Sequence, residues 1–95
     1  MYAVIRENAS SGALTEQLRA GRAEFAALRA QQPGFRGSLT VELGDGKWAI
    51  VTLWEDRQAQ EAGGAVLGPQ AERLTGAVTR IVYQGEVSSN DLTGR

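Results

Sequence analysis

The sequence predicts one small α+β domain with element order β-α-β-β-α-β, a four-stranded antiparallel sheet and both helices on one face. Three observations predict it. Apolar residues recur at helical spacing over 14–28. They alternate with polar residues over 35–43. A Gly44-Asp45-Gly46 turn then joins two strand-like runs. The chain has 95 residues, one domain by the usual prior of roughly 100–200 residues each. A chain of this size buries only about 60–65% of its unfolded surface, so one helix layer on one sheet exhausts it.

Tyr2 to Glu7 is short, β-branched and aromatic, and forms the first predicted strand. Asn8 to Gly12 follows as a polar loop in which Ser10 or Ser11 is placed to cap a helix. The helix is predicted over 13–31. Leu14, Leu18, Gly21, Phe25 and Leu28 share one face, and Gly21 on that face predicts a close approach to the sheet. Arg19, Arg22 and Arg29, interleaved with Glu16 and Glu24, predict a solvated face. Gln32-Pro33-Gly34 ends the helix, because proline disfavours helical geometry in the residue before it.

Phe35 to Leu43 is the second strand. Leu39, Val41 and Leu43 point one way, and Ser38, Thr40 and Glu42 the other. Lys47 to Glu55 is the third, apolar on both faces as a central strand is. A three-residue hairpin loop pairs Val41 with Ala49, Leu39 with Val51, Thr40 with Ile50 and Glu42 with Trp48, and sets Arg36 beside Trp54. Asp56 caps a second helix from Arg57, with a weak stripe of Ala59, Ala62 and Val66. Gly63-Gly64 and Gly68-Pro69 are expected to interrupt it, leaving a separate piece from Pro69 to Thr75 that stops at Gly76. Ala77 to Val87 is the last strand, and 88–95 a polar C-terminal tail.

This order is ferredoxin-like. The first helix, about 28 Å long, just covers a sheet whose eight-residue strands span about 27 Å. Nothing remains for the opposite face. The face carrying Trp48, Ile50 and Trp54 with Val4 or Ile5 is expected to lie bare, and a bare apolar face implies a second copy of the chain.

Composition narrows the chemistry. The chain contains neither cysteine nor histidine, so it offers no thiolate ligand, no thiol nucleophile and no imidazole base. Net charge is -1 with no basic stripe, which argues against nucleic acid. No apolar run approaches the roughly 20 residues of a membrane span, and Met1 to Arg6 lacks the order of a signal peptide. A cytoplasmic location, with no membrane partner, is expected.

Gln32-Pro33-Gly34-Phe35-Arg36-Gly37, Val51-Thr52-Leu53-Trp54-Glu55-Asp56-Arg57-Gln58-Ala59 and the closing Gly85-Glu86-Val87 resemble the antibiotic biosynthesis monooxygenase domain family, within the dimeric α/β-barrel superfamily. The resemblance spans 1–87. It implies a homodimer whose open sheet faces pack into a barrel, with a ligand cavity between each subunit's helices and sheet. It also implies oxidation of electron-rich phenols by O₂ without a metal, flavin or haem cofactor. A haem-degrading branch uses an asparagine, a tryptophan and a helical histidine. Asn8 and Trp54 are present here but no histidine is.

Each candidate residue has two readings. Trp54 anchors the core or dimer, or it stacks on an aromatic substrate. Trp48, near the hairpin tip, is assigned to interface packing. Arg6 pairs with Glu42 or Glu86, or it stabilises a phenolate or superoxide. Asn8 is a turn residue, or it binds a substrate hydroxyl. Arg6, Asn8 and Trp54 are thus the candidate catalytic residues, and Phe25, Phe35, Trp54 and Tyr83 the expected substrate pocket. Tyr2 and Tyr83 pack as ordinary aromatics, or they donate a hydroxyl at the pocket. Glu42, Glu55 and Glu86 are the only strand-borne acids, at no diagnostic spacing. The glycines at 63, 64 and 68 form no phosphate loop, having no preceding strand and no lysine; a kink or a rim over a cavity fits them better. No cofactor-binding or metal residues are assigned. The expected functions are a cofactor-free monooxygenase acting on a small aromatic or polycyclic molecule and, alternatively, a non-catalytic ligand-binding or structural dimer.

Overall fold

The computed structural model describes residues 1–10 and 12–89. Its elements are β1 (Tyr2–Ser10), α1 (Glu16–Ala30), β2 (Phe35–Gly44), β3 (Lys47–Trp54), α2 (Arg57–Thr75) and β4 (Ala77–Glu86). The four strands form one antiparallel sheet in the order β2-β3-β1-β4. This is the predicted ferredoxin-like fold. Of the expected tail, residues 90–95 lie outside the described residues, as does Ser11.

Element ends differ from the sequence reading where local chemistry was ambiguous. β1 runs on to Ser10, so Asn8 is a strand residue and not a turn. The cap of α1 is Thr15, whose hydroxyl accepts from the Leu18 amide at 3.1 Å. Asp56 caps α2 as expected, accepting from the Ala59 amide at 2.8 Å, and Gly76 closes it at φ 63°. The β2-β3 turn is a two-residue Asp45-Gly46 type with both φ positive, 53° and 73°. A bulge between Glu42 and Gly44 makes up the difference, so the predicted register holds from Ser38 to Glu42. A second bulge between Phe35 and Gly37 sets Phe35, not Arg36, opposite Trp54.

α2 is one helix and not two pieces. Pro69 lies inside it, at a cost of about 3 kcal/mol in a helix interior. Burial on both sides of the proline offsets that cost: Gly63, Leu67 and Leu74 form the buried stripe, while Ala62 and Val66 are exposed.

The sheet presents the opposite face from the one anticipated. Tyr2, Val4, Arg6 and Asn8 of β1, with Trp48, Ile50, Thr52 and Trp54 of β3, face the helices. The core of Tyr2, Val4, Trp54 and Leu67 sits there, with Phe25, Leu28, Phe35 and Ala59 packed around it. The bare face is the aliphatic one. A row of Leu39, Val51, Ile5 and Tyr83 crosses all four strands. Both faces carry apolar residues, so alternation alone could not say which one the helices cover.

Gly21 also meets a different neighbour. A Cβ there would collide with the Leu74 carbonyl of α2, so the glycine brings helix to helix and not helix to sheet. Gly21→Ala should therefore lower stability by about 1 kcal/mol, overpacking by 1–3 kcal/mol exceeding the gain in helix propensity of about 1 kcal/mol. Gly64→Ala, where the added carbon meets only the Gln60 side chain at 3.6 Å, should raise stability by up to about 1 kcal/mol. Urea unfolding of the two variants checks the contrast; equal shifts would contradict the close helix contact.

Candidate active-site cavity

α1 packs chiefly on α2 and touches the sheet little. The resulting gap is a cavity of about 200 Å³. Its floor is the sheet: Val4, Arg6, Asn8, Trp48, Ile50, Thr52, Trp54 and Thr79. Its roof is Phe25 and Arg29 of α1 with Gln60, Gly64, Leu67, Gly68, Ala71 and Thr75 of α2. A more open groove of about 490 Å³ adjoins it between α1 and the hairpin, sharing Phe25, Arg29, Trp48, Ile50 and Thr75.

Trp54 forms the closed end. It is 3% exposed, and its indole N–H donates to Thr52 Oγ1 at 3.1 Å. Phe35 meets it edge to face, with ring centroids 5.3 Å apart. A Cβ on Gly63 would stand 2.6 Å from Trp54 Cη2, so only glycine lets α2 lie on the indole. Trp48 forms the other aromatic wall, on the helix-facing side of the sheet. Arg22 lies 4.4 Å above its ring and is tied by its Nε–H to the Thr75 carbonyl at 3.1 Å.

Two cations line the cavity unpaired. Arg6 stands between Ile50 and Ile81 on the neighbouring strands. It makes no ion pair among the described residues: Glu86 is near the N-terminal ammonium at 3.9 Å, and Glu42 is unpaired. Arg29, read from sequence as solvated, is half-buried with its Nε enclosed and without a partner. Burial lowers the pKa of both guanidiniums from the usual arginine range because it disfavours their charged form. Asn8 is 8% exposed and has no side-chain hydrogen bond among the described residues. No carboxylate lines the cavity.

The expected pocket residues are only partly brought together. Phe25 and Trp54 line the cavity. Phe35 stands behind Trp54 instead. Tyr83 is on the opposite sheet face, 69% exposed, because a bulge beside Ile5 aligns it with that outward residue. Tyr2 is in the core. Glu55 pairs with exposed Arg36 at 3.3 Å. Arg22 and Arg29 were missed, although each lies four residues after an apolar stripe position, Leu18 and Phe25, and so on the same helix face.

No family model matches the chain, and no curated protein matches it by sequence. Solved structures do match. One is SnoaB, a cofactor-independent oxygenase from Streptomyces nogalater, at 19% identity and TM-score 0.72 over 99% of this chain and 97% of that one. Another is a point variant of MhuD, solved with two manganese protoporphyrin IX molecules per active site, at 22% identity and TM-score 0.66 over 99% and 100%. A third is an antibiotic biosynthesis monooxygenase, at 15% identity and TM-score 0.61 over 94% and 100%. The porphyrin does not transfer. The cavity here is lined by no His, Cys, Met or Tyr, the residues that hold haem iron.

The unpaired cations generate a stability prediction. A half-buried guanidinium with no counter-charge costs the folded state hydration it does not recover, and an arginine keeps its proton at any ordinary pH. Arg6→Met should therefore raise the melting temperature by a few degrees across the neutral range. A fall in calorimetry would mean that Arg6 has a stabilising partner. The chain thus has the fold shared by the antibiotic biosynthesis monooxygenase structures, with an aromatic cavity of its own lining.

Proposed function

We propose that this protein is a monooxygenase-like homodimer that binds a small aromatic molecule in the cavity and oxidises it with O₂ without a cofactor. One observation carries the reading: an aromatic-walled cavity whose only charges are unneutralised cations. Trp54 and Trp48 stack on the ring system. Asn8 holds a ring hydroxyl. Arg6 stabilises the phenolate formed when that hydroxyl loses its proton to water, and then the superoxide formed when the phenolate passes one electron to O₂. The radical pair combines into a C–O bond at a ring carbon bearing hydrogen. Loss of water from the hydroperoxide leaves a quinone-type carbonyl.

Dithranol, an electron-rich hydroxylated anthrone, is a suitable first substrate. The expected result is uptake of one O₂ per molecule and the absorbance of the anthraquinone, unaffected by EDTA. Arg6→Met should cut kcat at least tenfold. Uptake no faster than without protein would reject the enzyme reading. A second reading, a non-catalytic binding protein, is favoured by the lack of any Asp, Glu, His, Lys or Tyr in the lining to act as a base. Saturable dithranol binding without turnover would establish it.

The dimer reading rests on the bare face. The Leu39-Val51-Ile5-Tyr83 ridge is flanked by the row Gly37, Leu53, Ala3 and Gly85, small at three of its four positions. A standard interface covers about 800 Å² per partner. Native mass spectrometry should give twice the chain mass, and Leu39→Asp should halve it. A monomer in the unaltered protein would overturn the dimer.

A further inference from the structure

Arg29 is over-provided for a cavity that merely stacks an aromatic ring. Its guanidinium carbon lies 5.9 Å from the Phe25 centroid and 5.8 Å from that of Phe35. Ring faces recover part of a cation's lost hydration but accept no directed N–H bond of useful strength. Its Nε is the one buried side-chain nitrogen or oxygen without a hydrogen-bond partner among the described residues. Arg22, two helical turns earlier on the same face, shows the alternative, with its Nε–H satisfied by a main-chain carbonyl. No acid on the cavity wall answers Arg29. Glu42 shares the adjoining groove with it but makes no ion pair. A half-buried arginine fork set against two aromatic rings, with no carboxylate beside it, is a geometry that a carboxylate completes through two parallel hydrogen bonds.

We propose that Arg29 is a carboxylate-recognition residue and that the cavity's ligand is a planar aromatic acid, its ring system between the tryptophans and its carboxylate on the Arg29 fork. The inference rests on the aromatic-binding reading above and adds the ligand's charge. Arg6 is left free for the reacting oxygen. Asn8, on the same wall and with no side-chain hydrogen bond among the described residues, hydrogen-bonds the ring's polar substituent.

Both tryptophans of the chain line the cavity, so intrinsic fluorescence reports occupancy directly. The test titrates the intact protein with 2-naphthoate and with the isosteric, neutral 2-naphthamide. The acid should bind at least tenfold more tightly. Arg29→Met should bring the two affinities within about twofold, weakening the acid at least fivefold more than the amide. Equal affinities in the unaltered protein would overturn the charge preference and leave the aromatic cavity standing. A preference that survives Arg29→Met but vanishes in Arg6→Met would overturn the assignment to Arg29. Binding of neither compound would overturn this inference together with the reading it rests on.

Discussion

The seat of Trp54 against Gly63 fixes the rest of the molecule. The indole is the largest side chain in the core and rises from the end of β3, directly before α2 begins. Burying an aromatic of this kind removes on the order of 200 Å² from water, worth about 5 kcal/mol as an upper figure at 25 cal/mol per Å². That contribution is available only if α2 lies flat on the ring, and only a residue without Cβ permits this. Gly63 therefore sets the height of α2 above the sheet, while the Thr52 hydroxyl and the Phe35 edge fix the ring's orientation. Once α2 is placed, its stripe of Gly63, Leu67 and Leu74 determines where α1 can dock.

α1 docks sideways. Its close approach is to the Leu74 carbonyl through Gly21, so its inward face stands off the sheet. Phe25 and the stems of Arg22 and Arg29 bridge that gap without filling it. Long cationic side chains can cover apolar surface with their stems while leaving space under their heads. A cavity arises because the helices pack on each other in preference to the sheet.

Local signals in the sequence carried the element order, the Asp56 cap, the Gly76 stop and the β2-β3 register, because each depends on a few neighbouring residues. Three features depended on long-range packing and were misread. The covered sheet face was one: Leu39, Val41 and Val51 look no less core-like than Trp48, Ile50 and Trp54, and only the helices decide between them. The continuity of α2 through Pro69 was another, since the compensating burial of Leu67 and Leu74 comes from other elements. The third was part of the cavity's lining. Asn8 looked like a turn residue and Arg29 like a solvated one because polar side chains beside an apolar stripe are usually exposed. Their burial follows from the stand-off of α1, which no local pattern encodes.

Two parts of this structure run against its own stability, and they lie on opposite faces of one sheet. Unpaired guanidiniums under the helices lower the stability of a domain whose core is already small. An aliphatic ridge on the other face leaves apolar surface in water. Partner burial on the ridge acts on the same sheet that carries Arg6 and Asn8, and can supply the stability that the charged cavity removes. An isolated chain of this size has little margin for uncompensated cations in its interior. A second copy seated on the ridge, as proposed, would share the load, because each added Å² of buried ridge offsets desolvation on the other side of the same strands. In the proposed dimer the cationic cavity and the apolar ridge are one arrangement: burial of the second would let the first persist in a 95-residue chain.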